Sequence, residues 1–116
     1  FGRMILYPYG SRWRPPEDAD AHRAEAEAIR ARLPERYRIR QTARWLPGAF
    51  APGMEIDHLH DAYGAVSLLV ECSGGGARVT EPSSWVRPWR WFNPPDPRAE
   101  ASRIATALEP FVRGSG

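Results

Sequence analysis

The chain has 116 residues, of which 42% are hydrophobic and 26% are charged, and its formal net charge is +2. This length fits a single globular domain at most. All 16 basic residues are arginine, and they are too scattered, with too small a net charge, for a nucleic-acid footprint. No apolar run is long enough to cross a bilayer, so we expect neither a nucleic-acid nor a membrane partner. The single cysteine, Cys72, permits no internal disulfide.

The first predicted element is a short buried strand over Met4 to Tyr7, which ends at Pro8 and Gly10. The chain begins at Phe1, directly inside this apolar run and without a polar linker. We therefore expect a fragment or one chain of a split protein. Residues 114–116, Gly-Ser-Gly, are set aside as a tail.

A helix is predicted next, with its start at Asp18 or Asp20 and its end near Leu33. Acidic residues crowd its first half, where the helix dipole favours them. Three apolar residues at helical spacing form its core stripe, namely Ala26, Ile29 and Leu33. His22 also lies in this helix, and we expect it to be solvated and not a ligand.

The alternation of side chains over residues 37–44 predicts a strand, and the prolines and glycines of residues 45–53 predict a loop. Residues 55–63 are then unusually dense in side chains that can bind metal. His58 and His60, flanked by acids, could ligate zinc. A His-x-His pair without a second ligand pair elsewhere is a weak signal, so a metal role is not the favoured interpretation.

Residues 64–72 form an apolar β-type run with one carboxylate, Glu71, near its far end. Because strand side chains alternate, Leu69 and Glu71 share one face. Both faces are largely apolar, and we therefore expect a central strand covered on both sides. A partly desolvated carboxylate at the carboxyl end of such a strand is suited to proton transfer. In the alternative interpretation Glu71 only marks the strand end and pairs with an arginine.

After a glycine-rich turn, residues 77–97 are irregular and rich in aromatic side chains, including Trp85, Trp89, Trp91 and Phe92. These aromatics could bind sugars or a peptide, or they could cover a sheet edge. A last helix is predicted from Pro97 to about Val112. Its apolar stripe is expected to bury Ala101, Ile104, Leu108 and Phe111.

Two motifs stand out in this order of elements: residues 5–10, Ile-Leu-Tyr-Pro-Tyr-Gly, and residues 67–71, Ser-Leu-Leu-Val-Glu. Together with the spacing from Asp57 to Glu71, they resemble the C-terminal half of the catalytic domain of the zinc metallocarboxypeptidases, the carboxypeptidase A-like family. The resemblance covers residues 1–113. It implies an α/β fold, the C-terminal part of a mixed β-sheet flanked by helices, which is incomplete on its own.

The resemblance implies that Glu71 is the general base, which deprotonates a zinc-bound water and passes the proton to the leaving amine. It also implies that five residues line the pocket for the C-terminal side chain of the substrate or border the cleft: Gly10, Ile56, Leu69, Phe1 and Phe92. An isoleucine at position 56 suggests an apolar or aromatic preference. Glu55 and Asp57 on either side keep basic substrates possible.

In that family the zinc ligands and the arginines that bind the substrate carboxylate precede the matched region. The resemblance therefore implies zinc bound outside this chain, no metal ligand within it, a peptide substrate, and the N-terminal portion of the same catalytic domain as partner.

Three departures from the family suggest a divergent bacterial branch. The cleft-capping tyrosine is absent, with Ala49 or Phe50 in its place, His58 replaces an aromatic residue, and residues 77–90 look like an insertion. Phenylalanine cannot donate the hydrogen bond of a tyrosine. The alternative is therefore a non-catalytic relative that binds peptide or glycan through its tryptophan-rich segment.

Overall fold

The computed structural model describes residues 2–34, 36–45, 48, 50–72, 82–91 and 93–114. Within them, three strands form one mixed sheet in the order β2-β1-β3. Their bounds are Met4–Tyr7 for β1, Arg38–Gln41 for β2 and Leu69–Glu71 for β3. Helices accompany this sheet, so the protein belongs to the general α/β class that the sequence predicts.

Strand β1 occupies the middle of the sheet, and its four residues are all buried. It runs parallel to β2, with Ile5 opposite Ile39, and antiparallel to β3, with Ile5 opposite Val70. The predicted strand over Met4 to Tyr7 is confirmed. The central position expected for residues 64–72 is wrong, because β3 is a three-residue strand at an edge of the sheet described here.

Helix α1 spans Ala19–Ala31 and buries Ala26 and Ile29 as predicted, and Leu33 is buried just beyond its end. The expectation that His22 is solvated is wrong, since its exposed fraction is 0%. The reason is helical periodicity: residue 22 stands one turn before Ala26 and two turns before Ile29, on the same buried face.

The segment predicted as a strand over residues 37–44 divides into β2 and a 3₁₀ turn at Thr42–Arg44. The histidine-containing segment forms helix α2, Glu55–Tyr63. Gly64 ends α2 in the left-handed conformation, with φ of 62°, so the apolar run that follows begins as a helix end and pairs with β1 only from Leu69 onward.

Helix α3 is short, Pro82–Trp85, and a 3₁₀ turn follows at Pro88–Trp91. Helix α4 spans Pro97–Arg113, and Asp96 caps it by accepting hydrogen bonds from the backbone N–H groups of residues 98 and 99. Of the predicted core stripe, Ile104 is buried and Leu108 and Phe111 are half-buried. The expected burial of Ala101 is wrong, because Glu100, one residue earlier, faces inward.

Helix α1 packs against β1, β2 and α4, and these elements share one apolar core. The buried residues of this core are Ile5, Ala26, Ile29, Leu33, Tyr37, Ile104 and Ala107. In the described part of the chain, no helix combines the length and the apolar character needed to cross a membrane.

Candidate functional site

Asp57 joins helix α2 to the segment that follows β1. One of its carboxylate oxygens, Oδ2, accepts hydrogen bonds from the Gly10 N–H at 3.1 Å, the Ser11 N–H at 3.0 Å and the Ser11 hydroxyl at 2.7 Å. The other oxygen, Oδ1, accepts from the Gly10 N–H at 2.9 Å. Because Asp57 follows Ile56 in α2, this contact brings Gly10 and Ile56 into one hydrogen-bonded unit.

Gly10 lies so close to the segment before α2 that no larger residue fits without movement. A β-carbon at this position would lie 2.9 Å from the Ala51 carbonyl oxygen and 3.0 Å from the Met54 sulfur. Ile56 is buried, and its carbonyl oxygen accepts a hydrogen bond from the Ser67 hydroxyl at 2.7 Å. This last contact ties α2 to the chain that leads into β3.

Glu71 is the last residue of β3, and both Glu71 and Leu69 are half-buried. In the ladder with β1, Glu71 lies opposite Met4 and Leu69 lies opposite Leu6. Alternation along the strand puts Leu69 and Glu71 on one face, as the sequence predicts. Glu71 also interacts with a neighbouring group of the protein. The other two residues named for the cleft, at positions 1 and 92, lie outside the described residues.

The half-buried Cys72 follows Glu71, and the pKa of its thiol responds to the charges around the end of β3. Burial raises the pKa of its thiol, and the negative charges of Glu100 and then Glu71 raise the pKa further. Glu100 is buried and forms a salt bridge with Arg103. Burial and the charges of these two carboxylates therefore act on the thiol in the same direction.

A second cluster, not anticipated from the sequence, consists of Asp18, His22 and His60; we call it the Asp18 cluster. One ligand-capable atom of each side chain lies within 4.8 Å of the other two. The Asp18 Oδ1 atom is 3.5 Å from His22 Nδ1 and 3.5 Å from His60 Nε2. The two imidazole rings meet edge to face, with their centroids 5.0 Å apart.

The structure separates the two histidines that the sequence grouped together. His60 belongs to the Asp18 cluster, whereas His58 is exposed and its ring contacts that of Tyr63. Residues two apart on a helix point to nearly opposite sides, so a His-x-His pair cannot bind one ion from within α2. The signal that could have identified the cluster is the i,i+4 spacing of Asp18 and His22 at the start of α1.

A cavity of about 470 Å³ opens beside the Asp18 cluster. It is lined by Tyr9, Arg12, Arg14, Pro15, Pro16, Glu17, Asp18 and His60. The Arg12 guanidinium lies 3.6 Å from the centre of the Tyr9 ring, and both side chains donate hydrogen bonds to Asp61. Burial, and then the hydrogen bond to Asp61, raise the pKa of the Tyr9 hydroxyl, which therefore stays protonated at neutral pH.

The tryptophan-rich segment is described only in part, since residues 77–81 and 92 lie outside the described residues. Within the described part, Trp85 is 61% exposed and Trp89 is 58% exposed. Elsewhere Phe50 is 53% exposed and its ring contacts that of Trp13. More than half of each of these three side chains, Trp85, Trp89 and Phe50, is exposed to solvent.

Neither a comparison with models of protein families nor a search of curated proteins finds a match for this chain.

Proposed function

We propose that this chain is the C-terminal half of a zinc carboxypeptidase catalytic domain, in which Glu71 is the general base. The observation that supports this most is the pairing of β1 with β3. The two motifs on which the resemblance rests, residues 5–10 and 67–71, include residues 5–7 of β1 and all of β3. Residues far apart in the sequence are thereby joined in one unit, with the half-buried Glu71 at its edge.

The surroundings of Asp57 favour a substrate with an apolar or aromatic C-terminal side chain. A carboxylate that selects a basic side chain must have oxygen lone pairs free to receive it. Both oxygens of Asp57 already accept hydrogen bonds from residues 10 and 11. Glu55 is exposed at the start of α2, and the residue between them, Ile56, is buried and apolar.

In the proposed reaction, Glu71 takes a proton from the attacking water and delivers it to the amine that leaves. Leu69 lies on the same strand face, and both residues are half-buried. Zinc supplies a Lewis acid that lowers the pKa of a coordinated water to about 7. Among the described residues, no cluster of three metal-capable side chains includes Glu71. The zinc of this reaction is accordingly assigned to residues outside the chain.

The test is to produce the chain together with its N-terminal portion and to replace Glu71 by Gln. We expect the release of a C-terminal phenylalanine from a blocked dipeptide to fall by at least about 100-fold in kcat, because the proton acceptor is lost. Zinc content, measured by elemental analysis, should not change. Glu109→Gln is the matched control, since Glu109 is an exposed carboxylate on α4 paired with Arg113. Full activity in Glu71→Gln would contradict the assignment.

The alternative function is binding of a peptide or glycan without hydrolysis. The exposure of Trp85 and Trp89 favours it, because exposed indole rings provide flat apolar surfaces for sugars and peptide side chains. In this case Trp85→Ala and Trp89→Ala would weaken binding, measured by tryptophan fluorescence or calorimetry, while Glu71→Gln would have no effect. Turnover of a C-terminal amino acid by the zinc-loaded protein would count against this alternative.

A further inference from the structure

We propose that the Asp18 cluster is a binding site for a divalent transition-metal ion such as Zn²⁺, with Asp18, His22 and His60 as ligands. The site includes none of the residues proposed for peptide hydrolysis, and it does not depend on that function. It would join the start of α1 to the last turn of α2, two elements whose ligands are 38 or more residues apart in the sequence.

The first argument is that the cluster contains acceptors without donors. Among the described residues, the buried Asp18 Oδ1 and His22 Nε2 atoms have no hydrogen-bond partner. His22 is completely buried, and a buried polar atom without a partner costs free energy. A cation bound to Asp18 Oδ1 and to one nitrogen of His22 would give the carboxylate oxygen the partner that it lacks.

The choice of tautomer for His22 does not remove this need. Its Nδ1 atom lies 3.3 Å from the Asp18 carbonyl oxygen and 3.5 Å from the Asp18 carboxylate. If Nδ1 carries the proton, Nε2 is left as a buried lone pair. If Nε2 carries the proton, the Nδ1 lone pair faces two acceptor oxygens. The tautomer protonated on Nε2 is the one that can bind an ion beside Asp18, because it places the Nδ1 lone pair next to the carboxylate.

The second argument is the spacing of the atoms. Zinc binds nitrogen and oxygen at about 2.0 to 2.2 Å, so two ligands of a tetrahedral site lie about 3.4 Å apart. Asp18 Oδ1 is 3.5 Å from a nitrogen of each histidine. This separation is longer than the usual range for a hydrogen bond, about 2.7 to 3.2 Å, but it fits two ligands of one ion.

The third argument is the orientation of His60. Its Nδ1 atom lies 3.2 Å from the carbonyl oxygen of Ala65, which can only accept a hydrogen bond. Nδ1 therefore carries the proton, and Nε2, which faces Asp18, presents a lone pair. A backbone carbonyl that fixes the tautomer of a histidine in this way is the usual outer support of a metal ligand.

The adjacent cavity gives an ion a way in. Asp18 and His60 both line it, whereas His22 lies behind them in the core. Two imidazoles and one carboxylate suit zinc and similar ions, and a water on the cavity side would complete four ligands. Two arginines, Arg12 and Arg14, also line the cavity, and the charge of Arg12 is neutralised by its salt bridge with Asp61. Glu17 adds a further negative charge to the lining.

The experiment titrates the metal-free 116-residue chain with Zn²⁺ by calorimetry and with Co²⁺ by visible absorption. We expect one equivalent to bind, the Co²⁺ complex to show the intense bands of a four-coordinate ion, and Zn²⁺ to raise the melting temperature. His60→Gln and Asp18→Asn should each weaken binding at least about tenfold. Both residues are partly accessible, so these variants are preferred to changes at the buried His22.

Each variant has a matched control on its own helix. His58→Gln replaces an exposed histidine of α2, and Asp20→Asn replaces a carboxylate of α1 whose side chain is 99% exposed. Both should bind the ion like the unchanged chain. The proposal is overturned if the folded chain, verified by circular dichroism, binds no ion. It is also overturned if the controls weaken binding as much as His60→Gln and Asp18→Asn do. The catalytic zinc of the proposed peptidase is assigned outside this chain, so neither result bears on Glu71.

Discussion

Asp57 and Asp18 are two acids at the starts of helices, and their hydrogen-bond surroundings are opposite. Asp57, in the first turn of α2, accepts hydrogen bonds from two backbone N–H groups and one hydroxyl. Asp18, directly before α1, faces two imidazole nitrogens at 3.5 Å, and its Oδ1 atom has no hydrogen-bond partner among the described residues. The helix dipole favours a negative charge at both places. The difference lies in the donors: Asp57 is saturated by them, whereas Asp18 retains the capacity to bind a ligand.

The largest expected effect on stability comes from Asp57→Asn. With its amide oxygen in place of Oδ2, asparagine can still accept from residues 10 and 11, but its NH₂ group then faces the Gly10 N–H, and the negative charge that strengthens these hydrogen bonds is lost. Hydrogen bonds to a charged group contribute about 1.5 to 3 kcal/mol each, and we expect the free energy of unfolding to fall by about 2 kcal/mol. Urea denaturation measures this change. Asp20→Asn, at an exposed acid of α1, is the control and should leave the midpoint unchanged. If Asp57→Asn and Asp20→Asn unfolded at the same urea concentration, the hydrogen bonds of Asp57 would contribute no more to stability than an exposed acid does.

The contrast between these two acids could be predicted from the sequence only in part. The positions of α1, β1 and α4 follow from local patterns, because apolar spacing and capping residues lie within each segment. The partners of Asp57 are 46 and 47 residues away in the sequence. Those contacts depend on the path that the chain takes after β1, which local patterns do not determine. Gly10 and Ile56 were named from a resemblance, but nothing local indicated that Asp57 links them.

The Asp18 cluster was missed for a related reason. A polar residue type such as histidine favours a solvated position, but the helical spacing of His22 with Ala26 and Ile29 predicts burial, and burial is what the structure shows. The sequence spacing groups His60 with His58, but residues two apart share a face only in a strand. The segment forms a helix and contributes only His60, whereas Asp18 and His22 come from the start of α1.

A smaller effect is expected at Cys72, whose thiol is influenced by two other acids, Glu100 and Glu71. Its pKa is raised in the folded protein, first by burial and then by Glu100 and Glu71. The protonated thiol is therefore favoured by folding. Its contribution to stability is complete below the pKa of the unfolded chain and is lost as the pH rises through the folded pKa.

The measurement is the rate of alkylation of Cys72 by iodoacetamide as a function of pH. The midpoint for the folded protein should lie at higher pH than that for the urea-unfolded chain. Glu100→Gln should lower this midpoint, and Glu71→Gln should lower it by less, because the charge of Glu100 has the larger effect. Glu109→Gln on α4 is the control. If Glu71→Gln leaves the alkylation midpoint unchanged, the negative charge of Glu71 does not act on the Cys72 thiol, and this prediction is wrong.

The smallest effect is expected for Asp18→Asn in the presence of a chelator. The Asp18 side chain makes no capping hydrogen bond to α1, so Asp18→Asn loses no cap, and the amide can donate a hydrogen bond to an imidazole lone pair that the carboxylate cannot satisfy. We therefore expect the free energy of unfolding to change by less than about 1 kcal/mol, against the larger loss for Asp57→Asn. If Asp18 instead held two protonated histidines in a buried ion cluster, removal of its charge would destabilise the protein strongly. Urea denaturation of the metal-free variants distinguishes these two cases. A loss for Asp18→Asn as large as that for Asp57→Asn would show that Asp18 is already occupied by its neighbours and is not available to a metal ion.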